Sequence, residues 1–177
     1  KGVIDANPNA GVMFRLHVNA PRWWQQKHPE EAIVYSNEES RKDYNVGYGS
    51  LINGDVNNVA RFSLASEKWR NEASDALRRF LRELSKTPEG NALIGIQVAC
   101  GVYGEWHYFG FIDHDPDLSQ PMTVYFRNWL KNRYKTTENL QNAWGNQHVT
   151  FENAAVPGSD ERNKTLCGIF RDPVKER

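Results

Sequence analysis

The run Ala99-Cys-Gly-Val-Tyr-Gly-Glu-Trp-His-Tyr-Phe-Gly110 gathers groups able to do chemistry onto one short segment. Glu105 stands between Gly104 and Trp106. A carboxyl group held against an indole in a partly dry cleft has its charged form disfavoured, so its pKa rises. Such a group keeps its proton near neutral pH and can give it to a leaving oxygen. Tyr103, Trp106, His107 and Tyr108 add flat apolar faces with hydrogen-bonding tips, a combination that suits a sugar ring. The plainer alternative is a surface acid in a loop whose aromatics only pack.

A second group lies early in the chain. Arg15, His17 and Asn19 alternate, which puts their side chains on one face if the segment is extended. Arg15 within an apolar strand needs a carboxylate or carbonyl partner, since a buried unpaired charge is costly; a structural ion pair is the reading for it. His17 and Asn19 either line a site or serve as polar core groups. Trp23 and Trp24 follow at once, one expected as a sugar-stacking platform and the other as core.

These groups need elements to position them. Residues 11–18 read as a short apolar strand bounded by Asn-Ala-Pro. Residues 20–30 form a loop or one short helix, and residues 32–35 a brief strand. Residues 36–59 are polar and rich in Asn and Gly, with no clear period, and read as an extended loop. A helix then begins at Ser66, a suitable N-cap. Trp69, Ala73, Leu77, Phe80 and Leu84 share one face opposite a charged one. Pro88 and Gly90 end it. Residues 92–98 form a second strand, apolar on both faces as in a parallel sheet. Strand, helix, strand is the signature of a βαβ unit. Glu105 then falls just past a strand's carboxyl end, where function gathers in parallel α/β folds. Further helices are expected from about Pro121 to Tyr134 and from Thr137 to Trp144, the latter ended by Gly145.

Composition narrows the function. In 177 residues, Lys+Arg and Asp+Glu both number 22, so the formal net charge is zero. With no basic run, nothing attracts a phosphate backbone, and no nucleic-acid partner is expected. The longest apolar stretches, such as residues 92–98, are too short to span a bilayer, so no membrane role is expected. Two cysteines are too few for a disulfide scaffold. The five histidines are scattered and no Cys-x-x-Cys pair occurs, so neither metal nor cofactor is expected. Aromatic residues reach 12% although the mean hydropathy is −0.73. Aromatics in so polar a chain often keep one face in contact with something outside the core.

Three further segments carry a resemblance. Trp129-Leu-Lys-Asn-Arg-Tyr134, Leu140-Gln-Asn-Ala-Trp-Gly145 and Thr150-Phe-Glu-Asn-Ala-Ala-Val-Pro157 resemble the family-42 glycoside hydrolases, enzymes of β-galactosidase type. Trp24-Gln-Gln-Lys-His-Pro-Glu30 is similar to an upstream segment of the same family. The similarity is patchy over residues 11–157, and Ala-Trp-Gly is its most specific part. It implies a TIM barrel and a retaining mechanism with two carboxylates, and it places the acid/base at Glu105, after the fourth strand. One position departs: the family has Asn just before that Glu, holding the sugar 2-hydroxyl, and this chain has Gly104. A Gly-Glu pair at a strand end also occurs in β-amylase-like barrels, so the acid role carries over and the 2-hydroxyl contact does not.

The fold class expected is therefore α/β, a partial (β/α)8 TIM barrel covering roughly its third and fourth β/α units. A whole barrel takes about 250 residues, so the chain is expected to be one piece of a larger catalytic barrel, with the remainder of the parent polypeptide as its partner. Retaining hydrolysis needs a second carboxylate about 5–5.5 Å from the first. By resemblance that nucleophile lies beyond Arg177, and the chain alone is expected to be inactive. Asp113, Asp115 and Asp117 read as loop and N-cap residues. The expected function is hydrolysis of a glycosidic bond, with Glu105 as acid/base and His17, Asn19, Trp23, Trp24, Tyr103, Trp106 and His107 contacting an oligosaccharide. Enzymes of this kind are commonly bacterial and exported, so a periplasmic or secreted location is expected by resemblance. The competing expectations are a carbohydrate-binding barrel without catalysis, which Gly104 favours, and an unrelated α/β domain with a structural aromatic cluster.

Overall fold

The computed structural model describes residues 1–35, 62–101, 104–108, 116–158 and 161–162, apart from the side chain of Arg22. The chain divides into two compact units. The first comprises Lys1–Lys27, Tyr44–Phe62 and Glu67–Phe109; the second comprises His28–Asp43, Ser63–Ser66 and Gly110–Arg177.

In the first unit, α1 (Gly2–Ala6) precedes β1 (Val12–His17) and α2 (Arg22–Lys27). Then come α3 (Glu67–Leu84), α4 (Pro88–Asn91) and β2 (Leu93–Ala99). The two strands pair in parallel, with Arg15 opposite Gln97 and His17 opposite Ala99. Parallel neighbours require a long crossover, and α3 lies within it, as the βαβ pattern anticipated. The expected burial of both strand faces does not hold. Met13, Arg15 and His17 are exposed on β1, as are Ile94 and Val98 on β2. The reason is the small sheet: two strands, among the described residues, leave much of their surface uncovered.

α3 starts directly after Ser66, where its cap was expected. Its stripe is uneven. Trp69 is buried, Ala73, Leu77 and Leu84 are half-buried, and Phe80 is exposed. Pro88 begins a separate turn of helix, α4. The hydroxyl of Thr87 caps it by accepting from the Gly90 N–H at 3.1 Å. Gly90 is required there, because a Cβ would meet the Leu84 carbonyl oxygen at 2.0 Å. The core of this unit is aromatic: Trp24 meets Trp69 edge-on with centroids 4.9 Å apart, and Phe62 lies 5.3 Å from Trp69.

In the second unit, a 3₁₀ turn (Pro29–Glu31) precedes α5 (Gln120–Tyr134) and α6 (Thr137–Trp144). The brief strand expected over residues 32–35 is reduced to a single antiparallel bridge, Tyr35 with Pro116. Ser119 caps α5, accepting from the Met122 N–H, and Thr136 caps α6 through the Asn139 N–H. Gly145 ends α6 in the left-handed conformation, φ 61°. Leu130, Leu140, Trp144, Val149, Phe151 and Ala154 form the core, with Phe126, Tyr134 and Ala143 packed against it. The Ala-Trp-Gly segment is thus a helix end: Trp144 faces inward and Gly145 makes the stop.

Candidate functional site

β1 and β2 end side by side, and their carboxyl ends hold most of the residues singled out in the sequence. The backbone ladder runs as far as the Val18 N–H, which donates to the Ala99 oxygen at 2.8 Å. Beyond that point side chains take over. The Oδ1 of Asn19 accepts from the Gly101 N–H at 2.7 Å and from the Cys100 thiol at 3.3 Å. Its Nδ2 is buried without a hydrogen-bond partner among the described residues. Burial raises the Cys100 thiol to about 11, against a smaller lowering effect of the Gly101 N–H.

Past Cys100 the chain folds tightly. Gly101 has φ +71°, Gly104 φ +75° and Trp106 φ +64°. The Gly104 N–H donates to the Gly101 oxygen at 3.1 Å, and the Trp106 N–H to the Cys100 oxygen at 2.7 Å. The Trp106 indole N–H donates to the Val98 oxygen at 3.1 Å. Gly104 lies directly over the end of β1. A Cβ there would stand 2.6 Å from Arg15 Nη2, 2.8 Å from Ala99 Cβ and 2.9 Å from His17 Cε1. A side chain in this place, at a positive φ, would require these neighbours to shift.

Glu105 thereby follows Gly104 at the strand ends. His107 stands near it, Nε2 to Oε2 at 3.8 Å, outside hydrogen-bonding distance. The dry cleft expected around Glu105 is not formed by the described residues: its side chain is 61% exposed, and Trp106 is half-exposed. The Glu105 side chain in this position is open to solvent, with His107 as a neighbour.

The two tryptophans divide as foreseen. Trp24 is wholly buried, and its N–H donates to Glu72 at 2.7 Å. It has no face for a sugar, and its placement among binding residues is corrected on that ground. Trp23 is 62% exposed and can present a ring. Asn19, expected either to line a site or to serve as a polar core group, spends its amide oxygen on the loop. Tyr103, Asp113, Asp115 and the segment 36–59 lie outside the described residues.

Asp117 lies in the loop before α5, as expected, while Ser119 is the residue that caps that helix. Asp117 is buried, accepting from the Ser63 hydroxyl at 2.5 Å and the Ser119 N–H at 2.9 Å. Sequence reasoning missed both Asn19's bridging role and this knot; the order Asp-x-Ser before a helix was the only available signal for the latter.

By fold and site, the chain is a mixed helix–strand segment whose small parallel sheet carries a Gly-Glu turn at its carboxyl end. No family model matches the chain, and no curated protein matches it. Among solved structures it is similar to the β-galactosidase from Bacillus circulans sp. alkalophilus, with a TM-score of 0.50 and 17% identity, over 81% of this chain and 18% of that one. It is also similar to the cold-adapted β-galactosidase from Rahnella sp. R3, with a TM-score of 0.48 and 18% identity, over 85% of this chain and 19% of that one. The chain thus spans about a fifth of the length of these proteins. The likeness to the first is one of fold.

Proposed function

We propose that the chain is a section of the catalytic (β/α)8 barrel of a glycoside hydrolase, and that Glu105 is its acid/base. The observation that carries this reading is the seating of Gly104 against Arg15 and His17, which sets Glu105 at the carboxyl ends of two parallel strands. Fold likeness to a β-galactosidase segment supports it. In this reading Glu105 gives its proton to the glycosidic oxygen as the bond to the anomeric carbon breaks. A second carboxylate, from another part of the parent polypeptide, receives that carbon. Glu105 then takes a proton from the water that completes hydrolysis, so configuration is retained. Trp23, Trp106, His17 and His107 bound the sugar, with Tyr103 in the same segment. The substrate is an oligosaccharide or other glycoside met in the periplasm or outside the cell, and the rest of the barrel is the obligate partner.

The test is turnover of aryl β-glycosides by the longest natural polypeptide containing this chain, wild type beside Glu105→Gln. General acid/base assistance is worth about 10²–10⁴-fold. A loss of that size with folding intact is expected on at least one substrate. Equal rates in the two proteins would remove Glu105 from the mechanism, and sugar binding without turnover in the wild type would make the barrel a binding module.

A further inference from the structure

We propose that Asn19 is a positioning residue that holds the Glu105 turn against the sheet. The inference rests on the glycosidase reading for its kinetic consequence and on geometry alone for the rest.

In a parallel ladder each residue that bonds to its neighbour uses its N–H and its C=O in alternation. Since the Val18 N–H donates to the Ala99 oxygen, the next rung would run from the Gly101 N–H to the Val18 oxygen. That rung is not made. The Val18 oxygen instead accepts the indole N–H of Trp69 at 3.1 Å. The Gly101 N–H goes to the side chain of Asn19 at 2.7 Å, and the Cys100 thiol goes to the same oxygen. One amide oxygen thus replaces a missing backbone acceptor at the point where β2 becomes the catalytic loop.

The consequence passes directly to Glu105. Gly101 is the pivot of the turn: its oxygen accepts the Gly104 N–H, and its neighbour Cys100 accepts the Trp106 N–H. Glu105 lies between these two tethered residues. Gly101 is also buried, so without Asn19 its N–H would lose a partner where water does not readily replace it. The loop would have to shift to find one. Displacement of a catalytic group by about 1 Å can cost about 10²-fold in rate.

The unpartnered Nδ2 makes the role testable. Asn19→Asp keeps the accepting oxygen, and the nitrogen it replaces makes no hydrogen bond among the described residues. Asn19→Leu keeps bulk and removes the acceptor. Both are compared with wild type in the full polypeptide by amide hydrogen exchange at Gly101 and Trp106, and by kcat and KM on the best aryl glycoside. In Asn19→Leu, exchange at both amides is expected to quicken and kcat to fall by about 10²-fold, with KM little changed. Asn19→Asp is expected to restore slow exchange and most of kcat. Slow exchange persisting in Asn19→Leu would overturn the proposal. So would a raised KM at unchanged kcat, the mark of a sugar contact. If wild type and Glu105→Gln hydrolyse equally, or neither acts, the glycosidase reading fails while the exchange rates still decide whether Asn19 holds the turn.

Discussion

Replacing Gly101 by Ala tests whether the tight turn after β2 is as constrained as its geometry says. Two costs are separable. The residue sits at φ +71°, and an L side chain in the left-handed region costs about 1–2 kcal/mol. The new Cβ would also stand 2.1 Å from the His107 carbonyl oxygen, where ordinary contact is 3.4–4 Å. Backbone cannot rotate away as a side chain can, so the strand of chain at His107 must move out by roughly 1 Å. That movement disrupts the Trp106-to-Cys100 and Gly104-to-Gly101 hydrogen bonds, each worth about 1 kcal/mol net. The total is about 3–4 kcal/mol, a large fraction of a typical folding free energy of about 5–15 kcal/mol. At about 2–4 °C per kcal/mol for a domain of this size, the midpoint should fall by about 6–16 °C. Paired thermal and urea melts of Gly101→Ala and Gly2→Ala give the measurement. Gly2 has nothing within 4 Å of its would-be Cβ, so its variant should lose nothing. A Gly101→Ala protein within about 0.5 kcal/mol of wild type, the range of an ordinary surface change, would refute the constraint and with it the tethering of Glu105.

Trp24→Ala should destabilise the protein by about 3–5 kcal/mol, since it empties a fully buried site. Trp23→Ala should leave stability within about 0.5 kcal/mol and weaken sugar affinity by about 2- to 10-fold; equal melting losses for the two would deny their division into core and surface. Cys100 in the native state should resist alkylation at pH 8, because burial moves its thiol from an ordinary 9.0 to about 11. Peptide mapping after iodoacetamide, with and without urea, reads this directly. The proton-bound thiol is the form the fold favours, so its contribution to stability is complete below pH 9 and is lost as pH climbs through about 11; flat urea midpoints from pH 8.5 to 11.5 would contradict it.

Local signals were legible where one physical effect dominates. Thr137 to Trp144 was foreseen as a helix closed by Gly145, and the structure places it there because a left-handed glycine stop leaves little choice. The start of α3 was legible from a serine cap and that of α5 from an N-terminal proline, to within a residue. Both strands were found, since short apolar runs between breakers have few other uses. Their exposure was not, because a strand's pattern reports what could cover it and not what does. The short α1 and α4 were missed: each is under two turns, too short for a period to show. At the site, the sequence placed Glu105 just past the second strand and His17 at the end of the first. It did not reveal that Asn19 faces the loop, because an amide oxygen substituting for a diverted carbonyl depends on Trp69, fifty residues away in the chain.

The indole of Trp106 has one more effect, on how a sheet can grow. Ala99 bonds toward β1, so by alternation the carbonyls of Val98 and Cys100 lie on the opposite, outer edge of β2. Trp106 takes both, one with its indole and one with its backbone. Exposed strand edges invite any extended chain to pair with them, and here the invitation stops short of Val98. A strand laid along this edge that slips toward the loop finds its acceptors already occupied. The same ring that follows Glu105 thus withholds the Val98 acceptor from any strand that would pair along this edge.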